Sequence, residues 1–112
     1  MNECKFSDLR KDDETMFTVR ITKEMMEQFL AISGDTNLLH RDSDYARERG
    51  FRDRVVYGFL TATFYSTLVG VHLPGKYALL QGAKKINFLK PVFVDDELRI
   101  CGKISYLNEA FK

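Results

Sequence analysis

At 112 residues and a formal net charge of +1, the chain has the length of one ordinary domain. That charge gives no electrostatic case for nucleic acid or an anionic membrane. An apolar share of 45% supports a real core, yet no apolar run is long enough to span a bilayer, and Met1-Asn2-Glu3-Cys4-Lys5-Phe6 is too polar for a signal peptide. Cys4 and Cys101 form no redox or disulfide framework, which suits a reducing cytosol, so a cytoplasmic protein is expected.

Residues 1–14 are polar, with a mixed-charge run from Arg10 to Glu14, and read as a solvated arm or turn ahead of one domain over 15–112. Met16 to Ile21 reads as a strand with Phe17, Val19 and Ile21 on one face. Thr22 is placed to cap a helix, and Glu24 suits the positive end of its dipole. Met25, Met26, Phe29, Leu30 and Ile32 recur at helical spacing until Gly34, a residue able to end a helix at positive φ. The chain leaves through Asp35, Thr36 and Asn37, all turn formers, and presents Asp35 and His40 near one another. A carboxylate and an imidazole so placed suit general acid–base work on a water. On the spacing alone, a turn aspartate and a half-buried histidine bonded to backbone is much the commoner case. His72 is the only other histidine, and no metal-ligand spacing exists, so no metal is expected.

Asp42 to Arg49 reads as a short helix opened by Asp42 or Ser43, with Tyr45 and Ala46 inward and Gly50 at its end. Arg52 and Arg54 lie in a polar loop, either solvated or facing the phosphates of a large substrate. Gly58 to His72 is apolar nearly all round, and its length favours a helix covered on most sides. Ala62, Ser66 and Gly70 form a small-residue stripe suited to close approach by a neighbour, and Leu73-Pro74-Gly75 turns the chain. Tyr77–Leu80 and Lys85–Leu89 are expected as one long strand bent at Gly82, ending at Pro91. After a turn at Asp95-Asp96, a last strand puts Leu98, Ile100, Gly102, Ile104 and Tyr106 on one face, and Asn108-Glu109 looks like the start of another hairpin. A long apolar helix followed by an antiparallel meander implies a sheet curled around that helix. No glycine-rich phosphate loop is present, so no nucleotide cofactor is expected.

Phe29, Ile32-Ser33-Gly34-Asp35-Thr36-Asn37, Leu39-His40 and Ala46 resemble the hydratase motif of the MaoC-like, (R)-specific enoyl-CoA hydratase family. The likeness continues through Val55 to Leu60, Leu73-Pro74-Gly75 and Phe88 to Asp96, and covers roughly residues 15–112. It implies an α+β hot-dog fold, an antiparallel sheet wrapped around a long central helix. It also implies hydration of a trans-2-enoyl thioester, carried by coenzyme A or acyl-carrier protein, or the reverse dehydration. Asp35 and His40 would be the acid–base pair, with Asn37 and Ser66 supporting them. Gly58 would offer the N–H that meets the thioester oxygen, since it opens a helix and its N–H lies at the positive end of the dipole. A homodimer is the common assembly of the family.

Two positions depart from the motif: Leu38 stands where the family usually has proline, and Tyr57 where it usually has histidine. These departures favour one rival reading, a lapsed hot-dog domain that binds acyl thioesters or a partner; a second rival is a thioesterase on the same fold, with Asp35 activating water toward the carbonyl carbon. Family members normally continue with further strands that finish the sheet. A fragment of a longer chain, or one covered by a second chain, is therefore expected, with the 112-residue species a dimer or larger.

Overall fold

The computed structural model describes residues 1–108. Its elements, in order, are strand β1 (Glu14–Arg20), helices α1 (Lys23–Ser33), α2 (Ser43–Glu48) and α3 (Gly58–Thr67), and strand β2 (Glu97–Lys103). Short 3-10 turns stand at Phe6–Asp8 and Leu38–His40, and a π-helical turn at Leu68–His72 continues α3. β1 and β2 pair as a two-stranded sheet. Asp12 N–H donates to Ile104 O at one end and Ile21 N–H to Asp96 O at the other, so the strands run antiparallel. Contacts divide the chain into two compact units, one of Met1–Thr18, Thr63–Lys84 and the residues from Arg99 onward, the other of Val19–Ala62 and Lys85–Leu98.

In the first unit, the inner residues of β2 keep their expected face. Ile100 is buried and Gly102 half-buried between exposed Arg99, Cys101 and Lys103. Gly102 is required by close approach: a Cβ there would lie 2.3 Å from Cδ2 of buried Leu68. Phe17 stacks on His72 at 4.6 Å between ring centroids. The N-terminal segment is not a free arm. Asn2 N–H donates to Val71 O, Cys4 N–H to Pro74 O, and Lys76 N–H to Asn2 O, although most of its side chains stay exposed. Both cysteines are free thiols.

In the second unit, Thr22 caps α1 as expected, its hydroxyl accepting from Met25 N–H at 3.1 Å. Gly34 ends the helix at φ 71°. Met26 is buried and Phe29 and Leu30 half-buried, but Ile32 is 84% exposed. Two residues beyond Leu30 is a rotation of about 200°, which carries Ile32 off the apolar stripe. Asp42 caps α2 by accepting from Tyr45 N–H, and Ala46 is fully buried.

Three other expectations need correction. The Gly58–His72 helix forms, but α-winding gives way to a π turn at Leu68. Phe59, Tyr65 and Val71 remain exposed, Ser66 is exposed, and nothing described lies within 4 Å of a Cβ built on Gly70, so the small-residue stripe is not packed against. No strand forms over Tyr77–Leu89 among the described residues, and every side chain from Leu79 to Pro91 is exposed. A strand exists by virtue of a neighbour for its N–H and C=O groups, and no described segment supplies one there. Tyr106 is 75% exposed because β2 ends at Lys103. The expected hairpin at Asn108-Glu109 runs outside the described residues.

Candidate active site

The loop after α1 is built from consecutive side-chain-to-backbone bonds. The Ser33 hydroxyl donates to Phe29 O and accepts from Asp35 N–H. Asn37 N–H donates to Asp35 Oδ1 at 3.1 Å, and Leu39 N–H to Asn37 Oδ1 at 2.9 Å. Asn37 thus orients Asp35 through its backbone, while its side chain caps the turn that carries His40. One carboxylate oxygen of Asp35 is engaged in the turn, and the other, Oδ2, faces His40 Nε2 at 3.9 Å.

His40 is fastened to the segment before α3. Val55 N–H donates to Leu39 O at 3.0 Å, and His40 Nδ1 lies 2.8 Å from Val55 O. A carbonyl only accepts, so the hydrogen sits on Nδ1. In the neutral ring Nε2 is then a lone pair, and it is this atom that faces Asp35. Asp35 and His40, expected together, are together.

Tyr57 was visible in the sequence only as a departure from a motif. In the structure its ring is buried, stacks on His40 at 4.2 Å and meets Phe29 at 4.8 Å, and its O–H donates to Asp35 O at 2.8 Å. Burial first, then the negative charge of Asp35, pushes its phenol pKa above the ordinary 10.0, with Arg41 and Arg54 opposing. The phenol therefore stays a donor across the ordinary pH range. Separations of 17 and 22 residues carry no periodic signal, so nothing in the sequence pattern points to this double role.

Tyr57 O accepts from the N–H groups of Leu60 and Thr61 and so begins α3. The next residue, Gly58, has an N–H with no acceptor among the described residues, at the positive end of the helix. Gly58 and His40 line one apolar cavity of about 340 Å³, walled also by Val56, Thr61, Phe88 and Val92. A Cβ on Gly58 would sit 3.1 Å from the Phe88 ring, so glycine keeps this wall open. Ser66 belongs to the first unit, where it is exposed, and is not among the residues lining this cavity. No cluster of three or more metal-binding side chains occurs among the described residues.

Solved structures of the same fold define the class as hot-dog folds. The chain superposes on the (R)-hydratase from A. caviae involved in PHA biosynthesis with TM-score 0.84 at 33% identity, covering 90% of this chain and 76% of that one. It superposes on unliganded R-hydratase PhaJ1 from Pseudomonas aeruginosa with TM-score 0.87 at 25% identity, covering 96% and 68%. Residues 8–110 match the family model for the MaoC like domain, and the chain belongs to that family. It is 38% identical over 81 residues to the (R)-specific enoyl-CoA hydratase of Aeromonas caviae, covering 72% of this chain and 60% of the relative. It is 30% identical over 90 residues to the mitochondrial 3-hydroxyacyl-[acyl-carrier-protein] dehydratase of Arabidopsis thaliana, covering 80% and 52%. The chain thus spans between half and two thirds of the length of these two relatives.

Proposed function

We propose that the chain catalyses (R)-specific hydration of trans-2-enoyl thioesters, or the reverse dehydration of (R)-3-hydroxyacyl thioesters, using Asp35 and His40 as the acid–base pair. The observation that carries this reading is the opposition of His40 Nε2 and Asp35 Oδ2 at 3.9 Å, with Nδ1 engaged by Val55 O. That gap is too wide for a direct hydrogen bond and suits a single water touching both groups. As the water oxygen bonds to the β-carbon, one of its protons passes to the pair, and the pair returns a proton to the α-carbon. Either group can be the first acceptor, since the carboxylate and the Nε2 lone pair both face the water. Charge that builds on the thioester oxygen meets the Gly58 N–H. The apolar cavity beside Gly58 suits the acyl chain.

The hydratase and dehydratase relatives support acyl-CoA or acyl-carrier protein as the substrate's carrier. Tyr57 stacks on His40 and leaves it facing Asp35, which weighs against a lapsed site. A cytoplasmic homodimer completes the proposal. Among the described residues no helix is long and apolar enough to cross a membrane, and Leu79 in one unit and Leu89 in the other are at least 80% exposed.

The test is loss of enoyl absorbance when purified protein meets a short trans-2-enoyl-CoA, with chirality of the product and free thiol measured alongside. An (R)-3-hydroxyacyl product with no thiol release is expected. Thiol release from saturated acyl-CoA would instead establish a thioesterase, and an inert mixture would sink the hydratase reading.

A further inference from the structure

A second cavity of the same unit, about 670 Å³, is lined by Lys23, Arg41, Arg52 and Arg54 together with Asp53 and Asp95. Its chemistry is unlike that of the apolar cavity. Lys23, Arg41 and Arg54 have no carboxylate within 4 Å among the described residues. Arg52 is held over the Phe93 ring at 4.2 Å and lies 3.6 Å from Asp96. Of the two acids, Asp53 is already occupied: it accepts from the Ser43 hydroxyl and from Arg54 N–H, and pairs with Arg47 at 3.7 Å. Asp95 sits exposed in a turn at φ 75°. Three cations without a carboxylate partner, beside an Arg52 already paired with Asp96, therefore face one unengaged carboxylate. Crowding like charges without partners is unfavourable, so such a cleft is stabilised by a polyanion.

Position says which polyanion. Arg41 and Arg54 also line a small pocket shared with His40 and Tyr57, so the cationic cleft starts beside the proposed acid–base pair. Guanidinium forks match phosphate oxygens in paired hydrogen bonds. The thioesters named above share one anionic feature, phosphate esters at the carrier end. We propose that the cleft bounded by Lys23, Arg41, Arg52 and Arg54 binds the phosphate groups of the carrier, an inference that rests on the hydratase reading.

The test measures binding apart from turnover. Coenzyme A, phosphate-free pantetheine, inorganic pyrophosphate and phosphopantetheinylated acyl-carrier protein are titrated calorimetrically into wild type, Arg41→Ala and Arg54→Ala, at low and high salt. Arg41 is exposed and Arg54 half-buried, neither is in the core, and circular dichroism checks that both variants fold. Coenzyme A is expected to bind more tightly than pantetheine by about tenfold or more, with each variant losing most of that advantage and of the salt dependence. Pantetheine binding should not change. Pyrophosphate should compete with coenzyme A. Loss confined to the carrier protein or to coenzyme A tells which source of phosphate the cleft serves, and either upholds it. Equal binding of coenzyme A and pantetheine, unaffected variants, or pyrophosphate that fails to compete would overturn the proposal. Phosphate-dependent binding without hydration of enoyl-CoA would uphold the cleft and overturn the hydratase reading instead.

Discussion

The Tyr57 O–H donates to the backbone carbonyl of Asp35 at 2.8 Å, across 22 residues of chain, while the same ring stacks on His40. One side chain thus bears on both halves of the proposed pair. Removing the hydroxyl should loosen Asp35 without disturbing the stack.

Tyr57→Phe is expected to lower kcat by about tenfold with little change in KM, because the displacement affects geometry in the transition state more than binding. One lost hydrogen bond should cost about 1 kcal/mol of stability. The pH dependence has a definite sign. Burial, then Asp35, raises the phenol pKa above 10.0, so the folded state holds this proton more tightly than the unfolded chain. The stability this supplies is complete below the ordinary value and is lost as pH rises from there through the folded value. The Phe variant lacks that alkaline decline. Urea midpoints at neutral pH and above the ordinary tyrosine value, for both proteins, measure it. Parallel declines would mean that Tyr57 titrates as a free phenol.

The pair itself makes a second prediction. Asp35→Asn and His40→Ala should each lower hydration by about two to four orders of magnitude. The double variant should be little worse than either, since the groups act on one water as a unit. Asp35 is exposed and His40 only half-buried, so circular dichroism should be unchanged in all three. Wild-type turnover in either single variant would remove that residue from the mechanism.

Gly58→Ala should separate folding from function. The new methyl would meet Phe88, whose side chain is 54% exposed and free to swing aside, so the melting temperature should hardly move. The methyl nevertheless stands where substrate approaches the Gly58 N–H. Turnover per unit KM should fall by about tenfold to a hundredfold. Retained activity would show that the thioester oxygen finds its donor elsewhere.

Much of the site was legible because it is local. The Thr22 cap, the stop at Gly34 and the turn chemistry of Asp35 to Asn37 each act within a few residues, and the structure keeps them all. What was not legible depends on residues far apart in the chain. Val55 fixes the His40 tautomer from 15 residues away, and Tyr57 reaches Asp35 from 22. The stretch from Tyr77 to Leu89 shows the opposite failure. Its composition suits a strand, but strand formation needs a partner, and composition does not say whether one is present. Ile32 failed for a simpler reason: apolar character was counted without checking its angle around the helix.

Leu38 tests how far the loop tolerates proline. It opens the 3-10 turn, its side chain is 48% exposed, and its N–H has no acceptor among the described residues. Asn37 before it already has ψ 126°, the extended value that a following proline demands. Leu38→Pro should therefore stabilise by about 0.5 kcal/mol through the unfolded chain, with hydration equal or higher. Denaturant midpoints and the enoyl-CoA assay check both parts. A clear loss of stability would mean that φ at this position lies outside the proline range.

Gly102 and Leu68 make the sharpest demand on packing. An ideal Cβ on Gly102 would lie 2.3 Å from Leu68 Cδ2, 3.3 Å from Cγ and 3.7 Å from Cδ1. Leu68 is buried at 6% exposure where α-winding becomes a π turn, so it has little room to move. Gly102→Ala should overpack the contact and cost about 1–3 kcal/mol, despite the better strand propensity of alanine. Leu68→Ala should cost about 2–5 kcal/mol by leaving a cavity. Together they should cost less than their sum, because the methyl added by Gly102→Ala then enters space that the leucine side chain has vacated. Urea unfolding of the four proteins measures that coupling. Full additivity would mean that the two residues do not share the space, and that the glycine is needed for the path of the strand and not for this side chain.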